Sequence, residues 1–178
     1  MLRLLCCNVV NTGNDFMAID FESLDSFDRK RILLVDDDPF ILGVLEKLLG
    51  LLRLKTILQA GDGEQALMLL EGTAVDLLIT DILMPKLDGL SLLKKIRSGQ
   101  SSASASLPCI AVSSLGEEAT LPTALALDVI RFVQKPFKAL ILIKRLLITL
   151  SETFSESLDH LYSDVPIEVD RFQLGGHD

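Results

Sequence analysis

Val75-Asp76-Leu77-Leu78-Ile79-Thr80-Asp81 is an apolar run that ends on a carboxylate, and Met84-Pro85 and Asp88-Gly89 follow it. A run rich in aliphatic and β-branched residues, closed by a Pro/Gly turn, predicts a buried strand. Asp81 then lies at the C-terminal end of that strand, the edge where open α/β sheets bind ligands. Toward the N-terminus, Ile32-Leu33-Leu34-Val35 ends in the same way, on Asp36-Asp37-Asp38. Two strands that bring carboxylates to one edge make a site that repels itself unless a cation fills it.

Outward from these runs the pattern is regular from Arg31 onward. Strands are expected over 31–35, 55–59, 75–80, 108–112 and 130–134, and helices over 39–52, 63–71, 88–98, 116–127 and 137–151. Strands alternating with helices of this length mean βαβ units on a parallel sheet. Right-handed crossovers then predict an α/β, flavodoxin-like, doubly wound (βα)5 fold whose five-stranded sheet has the order 2-1-3-4-5. Asp38-Pro39 supplies an N-cap and a first helical proline. Gly61-Asp62-Gly63-Glu64 is a turn that feeds a helix, and Ser98 to Ser106 is a flexible solvent loop of low complexity. Pro122 would break an interior helical turn, so the fourth helix is expected to start near Leu121. The expected organisation is a polar arm over 1–29, with Met17 as an alternative start, a domain over 30–150, and a tail over 151–178 that closes on Gly175-Gly176.

Composition bounds the function. The chain has 178 residues, 49% of them hydrophobic, with no Trp and few aromatics, so its core is aliphatic. A net charge of −8 argues against nucleic acid or an anionic membrane as partner. Cys6, Cys7 and Cys109 show no disulfide spacing, which suggests reduced thiols and a cytoplasmic setting. Asn8 cuts the apolar start too short for a signal peptide, and Lys144-Arg145 interrupt Ala139 to Leu150, itself too short to span a bilayer. His160 and His177, in the tail, are expected to be neither ligands nor phosphodonors.

Chemistry-bearing residues gather at strand ends. The first strand brings Asp36 and Asp37, the third Asp81, the fourth Ser113 after Cys109-Ile110-Ala111-Val112, and the fifth Lys135 before Pro136-Phe137. Hard oxygen ligands of this kind suit Mg²⁺. A serine hydroxyl and a lysine ammonium on facing strands suit a phosphoryl group. Asp38 reads as a helix cap rather than a ligand. Ser113 and Ser114 compete for the hydroxyl role; spacing to Lys135 favours Ser113, leaving Ser114 as the small residue that keeps the site accessible.

With these pieces in this order, the chain resembles a response-regulator receiver domain of two-component signalling. The resemblance rests on Ile32 to Pro39, Asp76 to Gly89, Ser113-Ser114 and Lys135-Pro136-Phe137, and covers about residues 30–150. It implies that Asp81 accepts a phosphoryl group from a histidine kinase or phosphotransfer protein. It implies a Mg²⁺ site formed by Asp81, by Asp37 directly, by Asp36 largely through water, and by the Leu83 carbonyl. Ser113 would turn toward the phosphoryl group, Lys135 would pair with it, and Phe132 would be the aromatic switch that turns inward as Ser113 moves. Three departures from the family pattern stand out. Leu83 is aliphatic where a polar residue is frequent, and it cannot orient an attacking water. Asp128 stands where many members carry Gly, although Asp tolerates a left-handed backbone. Pro122 alters the fourth helix, part of the usual output face.

The expected function is a phospho-switch rather than an enzyme with its own substrate. Residues 151–178 are too few for an output domain, so a partner protein would read the signal. The fifth helix is apolar on more than one stripe, through Leu140 to Ile143 and Leu146 to Ile148. Its second face fits either the tail or a homodimer through the fourth helix, fifth strand and fifth helix. Two alternatives stand beside this reading. Asp36-Asp37-Asp38 also reads as the Asp-x-Asp of a haloacid-dehalogenase-type phosphatase, which Ser113 and Lys135 fit loosely, but no strand with a further acidic pair follows. A degenerate receiver would serve as a constitutive interaction domain.

Overall fold

Ile32, Leu33, Leu34 and Val35 point alternately to opposite sides of a strand, yet each is at most 1% exposed. Only a strand covered on both faces buries successive residues in this way. The computed structural model describes residues 29–114, 117–129 and 131–151. Most of the expected arm and tail, with Cys6, Cys7, Met17, His160 and His177, lies outside the described residues.

The strands are β1 (Arg31–Val35), β2 (Thr56–Ala60), β3 (Leu77–Asp81), β4 (Cys109–Ser113) and β5 (Arg131–Gln134), interleaved with helices α1 (Pro39–Gly50), α2 (Gly63–Gly72), α3 (Gly89–Arg97), α4 (Glu117–Ala126) and α5 (Ala139–Ser151). All neighbouring strands pair in parallel, in the order β2-β1-β3-β4-β5. This is the doubly wound architecture that the alternating pattern predicts. One sheet face, including Ile32, Leu34, Ile79, Ile110 and Val133, is covered by α1 and α5 through Leu42, Leu45, Leu142 and Leu146. The other, including Leu33, Leu78, Ala111 and Phe132, is covered by α2, α3 and α4 through Ala66, Leu70, Leu93, Ile96 and Ala124. Among the described residues, no helix is long and apolar enough to cross a membrane.

Two local expectations are corrected. α4 starts at Glu117 rather than near Leu121, so Pro122 lies in its interior and not in its first turn. The missing amide forfeits a helical hydrogen bond, but the turn that follows is held from outside. Val129 N donates to Ala124 O at 2.9 Å, and Ala124 and Leu127 are buried. The segment Ser98 to Ser106 is largely exposed, as a solvent loop should be, but it is anchored. Ser102 Oγ donates to the Leu70 carbonyl at 2.9 Å, and Arg97 Nη1 donates to the Ala105 carbonyl at 2.7 Å.

Arg97 is a buried cation, 4% exposed, whose Nε also donates to the Leu127 carbonyl at 3.1 Å just past the end of α4. It ties α3 both to the serine-rich loop and to α4. Arg97→Met removes the donors of two carbonyls and is expected to cost about 2–3 kcal/mol. Urea unfolding measures this; a loss below about 0.5 kcal/mol would mean that water replaces both bonds.

Candidate functional site

The C-terminal ends of β1, β3 and β5 bring Asp36, Asp81 and Lys135 together. Asp36 follows β1, where its amide donates to the Ala60 carbonyl at 3.1 Å. Its side chain turns back to accept the Asp38 amide at 3.0 Å and is 1% exposed. Asp38 accepts the Phe40 amide at 2.8 Å and so caps α1. Asp37, between them, is exposed.

Asp81 is the last residue of β3 and is 6% exposed. Its Oδ1 accepts the amides of Ile82 at 2.6 Å and Leu83 at 3.2 Å. Its Oδ2 accepts Lys135 Nζ at 2.6 Å, and the same ammonium reaches Asp36 Oδ2 at 2.7 Å. Carboxylate oxygens of Asp36, Asp37 and Asp81 all lie within 4.8 Å of one another. Three carboxylates facing one ammonium leave the cluster anionic, and a hard divalent cation matches that donor set.

The electrostatics follow from burial and crowding. Burial pushes the Asp81 carboxyl up; the Lys135 hydrogen bond and charge pull it down, Asp36 adds to the rise, and the balance lies above the usual carboxylate range. Asp37, exposed as a residue but partly desolvated where its carboxyl faces the site, is raised by that desolvation and then by the charge of Asp36. Burial alone would lower the Lys135 ammonium, but its bonds to Asp36 and Asp81 outweigh this and hold its proton more tightly. The cluster is therefore under strain that additional positive charge relieves.

Ser113, fully buried at the end of β4, lies on the same edge, and its carbonyl accepts the Lys135 amide at 2.7 Å. Ser114 is exposed. Phe132, opposite Ala111 in the β4–β5 register, is buried in the core shared with α4. It is packed inward already. Leu83 is half-buried directly beside Asp81. Asp128, where Gly is frequent among receivers, adopts a left-handed backbone with φ of 52°. Cys109 is buried, its thiol pushed up to about 12, and is inert at neutral pH.

Two positioning residues escaped the reading of the sequence. Thr80 Oγ1 donates to the Asp81 carbonyl at 2.8 Å. Gly89 packs so closely on β3 that a Cβ there would run into the Asp81 backbone oxygen, while its amide donates to the Ile82 carbonyl at 3.0 Å. Asp88-Gly89 signalled a turn, and Asp88 does cap α3 by accepting the Ser91 amide at 2.9 Å. The close approach of Gly89 to the backbone of Asp81 left no local signal.

Residues 32–147 match the family described as response regulator receiver domain. Over 124 residues the chain is 35% identical to the probable transcriptional regulator ycf27 of Guillardia theta, a match covering 70% of this chain and 44% of that protein. The chain thus spans less than half the length of this relative. The signal receiver domain of an HD domain-containing protein from Pseudomonas fluorescens Pf-5 superposes with a TM-score of 0.62 at 32% identity, covering 68% of this chain and 94% of that one. The receiver domain of sensor histidine kinase PA1611 from Pseudomonas aeruginosa PAO1 superposes with a TM-score of 0.61 at 28% identity, covering 69% of this chain and 98% of that one, and has a magnesium ion coordinated in its active site cleft.

Proposed function

Because the chain belongs to the response regulator receiver family of two-component signalling, we propose that Asp81 accepts a phosphoryl group from a histidine kinase or phosphotransfer protein. The observation that supports this most is a buried carboxylate held by two amides and an ammonium beside two further acidic residues, Asp36 and Asp37. In the reaction an Asp81 carboxylate oxygen forms a bond to phosphorus as the bond between phosphorus and the donor imidazole breaks. Asp36, Asp37 and Asp81, with the Leu83 carbonyl, would hold Mg²⁺. When bound, the ion neutralises charge on the phosphoryl oxygens. Lys135 stands ready to pair with a phosphoryl oxygen once the Asp81 oxygen it now binds is esterified. The Ser113 hydroxyl would accompany that change, and Phe132 would carry it to α4, against which it packs.

Incubation with acetyl phosphate and Mg²⁺ tests the proposal. One phosphoryl adduct on the peptide holding Asp81 is expected, lost on treatment with hydroxylamine and absent when a chelator is present. No adduct, or one on another residue, overturns the reading. An aryl phosphate should show no turnover, in contrast to a haloacid-dehalogenase-type phosphatase. A downstream protein would read the phosphorylated surface. Leu125, Leu140 and Ile141, all exposed on α4 and α5, support a homodimer through the α4, β5 and α5 face, which sedimentation with and without beryllofluoride would detect.

The lifetime of the phosphoaspartate follows from Leu83. Its aliphatic side chain offers no hydrogen bond to an attacking water, so autodephosphorylation should be slow. Leu83→Asn should shorten the lifetime by roughly tenfold, because an oriented water is nearer to attack geometry. A wild-type half-life of seconds, followed by loss of the labelled phosphoryl group, would count against this account.

A further inference from the structure

The stretch between Asp81 and α3 has no regular secondary structure, and it is held at both ends. Ile82 N donates to the Val112 carbonyl at 3.2 Å, and the Ile82 carbonyl accepts Gly89 N at 3.0 Å. Between these points, Lys86 takes a left-handed backbone with φ of 63°, a conformation that disfavours any side chain. A conformation of this kind persists where surrounding contacts over-determine it.

Those contacts come from the start of α2. Lys86 Nζ meets Asp62 Oδ2 at 2.6 Å, and Gly63 N donates to the Leu87 carbonyl at 3.1 Å. Gly63 is required here, since a Cβ would lie 2.5 Å from that carbonyl oxygen. Asp62 is prepared for the contact. Its Oδ1 caps α2 by accepting Gln65 N at 2.9 Å, its Oδ2 also accepts Gln65 Nε2 at 3.2 Å, and Gln65 Oε1 in turn accepts Gly61 N at 3.1 Å. This resembles a capping box, with the Gln65 side chain reaching the amide one residue ahead of the cap, and it fixes the carboxylate independently of Lys86. The Lys86 bond, and then the Gln65 amide, hold the Asp62 carboxyl below the usual range. The carboxylate is covered by its immediate neighbours but lies near the surface, and the lysine side chain is 55% exposed. A pair so close to water adds little to global stability. Its effect falls on the loop that it spans.

We infer that Lys86 and Asp62 are positioning residues for phosphorylation: their ion pair clamps the β3–α3 loop to the N-terminus of α2 and so sets the positions of the Leu83 carbonyl and Asp81. The inference rests on the proposed function, because only a metal-dependent reaction at Asp81 makes the loop's position matter.

The test uses the full chain as Lys86→Met, which keeps the apolar stem; Asp62→Asn, which keeps a capping side chain; and Lys86→Arg, which keeps the charge. Two quantities are read: amide hydrogen exchange at Ile82 and Leu83 in metal-free protein, and Mg²⁺ affinity by titration calorimetry. In Lys86→Met and Asp62→Asn, exchange should quicken by about tenfold as local opening becomes easier, and Mg²⁺ should bind roughly three- to tenfold more weakly. Lys86→Arg should restore both to within about twofold of wild type. Either quantity unchanged in Lys86→Met, or Lys86→Arg as impaired as Lys86→Met, overturns the clamp. Wild-type protein that binds no Mg²⁺ overturns the proposed function, and the clamp with it, a result distinct from failure of the clamp alone.

Discussion

Asp81→Asn is expected to lower phosphorylation by acetyl phosphate or a histidine phosphodonor by at least about a thousandfold while leaving the fold intact, because it removes the reacting oxygen's charge and nothing else of comparable size. The asparagine oxygen can still accept the Ile82 and Leu83 amides, and Lys135 keeps its bond to Asp36. Stability should respond in a way that identifies the group. Burial raises the Asp81 carboxyl above its reference value of 3.8. Between that value and the raised one, the folded protein binds more protons than the unfolded chain, so stability falls as pH rises through this window. The ionised carboxylate is therefore a burden on the metal-free fold at neutral pH. The variant should be at least as stable as wild type there, and its stability should vary less with pH. Saturating Mg²⁺, at about a hundred times its dissociation constant, should stabilise the wild type by about 2.7 kcal/mol and the variant by clearly less. Urea unfolding with and without Mg²⁺ reads both effects; phosphorylation of the variant at more than about a tenth of the wild-type rate would remove Asp81 from its assigned role.

Lys135→Met is expected to have the second-largest effect, on stability and chemistry together. Its ammonium bridges two carboxylates that are themselves buried. Without it, Asp36 and Asp81 face each other uncompensated, a loss of about 3 kcal/mol at neutral pH. The deficit should change with conditions in a definite direction. The wild-type lysine has a raised pKa, so its contribution is present below its reference value of 10.5 and is lost only as pH rises through the raised folded value. As pH falls, Asp81, whose carboxyl burial raises, takes up a proton and the repulsion fades, so the deficit of the variant should shrink. Mg²⁺ should shrink it too. Phosphorylation should slow by roughly 10²–10³-fold, the scale of removing one charged group that stabilises a transition state. Lys135→Arg should restore stability better than rate, because a planar fork replaces a compact point charge. A deficit that stays constant with both pH and Mg²⁺ would show that Lys135 acts by packing alone.

Much of this was legible because strand ends mark themselves. Ile32 to Asp36 changes from apolar to acidic within one residue and Val75 to Asp81 within two, after Ile79, and that change is the edge of the sheet. Lys135 and Ser113 lie at similar changes, so convergence follows once the strands are known to be parallel. The first helix cap was legible for the same local reason: Asp38, before Pro39, accepts an amide two residues ahead. Pro122 misled because propensity counts only the hydrogen bond lost within the helix, whereas the burial of Ala124 and Leu127 and the turn at Val129 hold α4 through tertiary contacts.

The sequence by itself determined the alternation of strand and helix, the burial of both sheet faces, and which residue types arrive at the edge, since each depends on neighbours within a few positions. The tertiary structure alone decided how those residues meet. Lys135 bridges Asp36 from 99 positions away and Asp81 from 54. Lys86 finds Asp62 across 24. Gly89 lies against the backbone of Asp81 because α3 packs there. Such contacts depend on crossover direction and sheet register, which act over the whole chain, so the acid at the end of β3 acquired its partners only when the sheet closed around it.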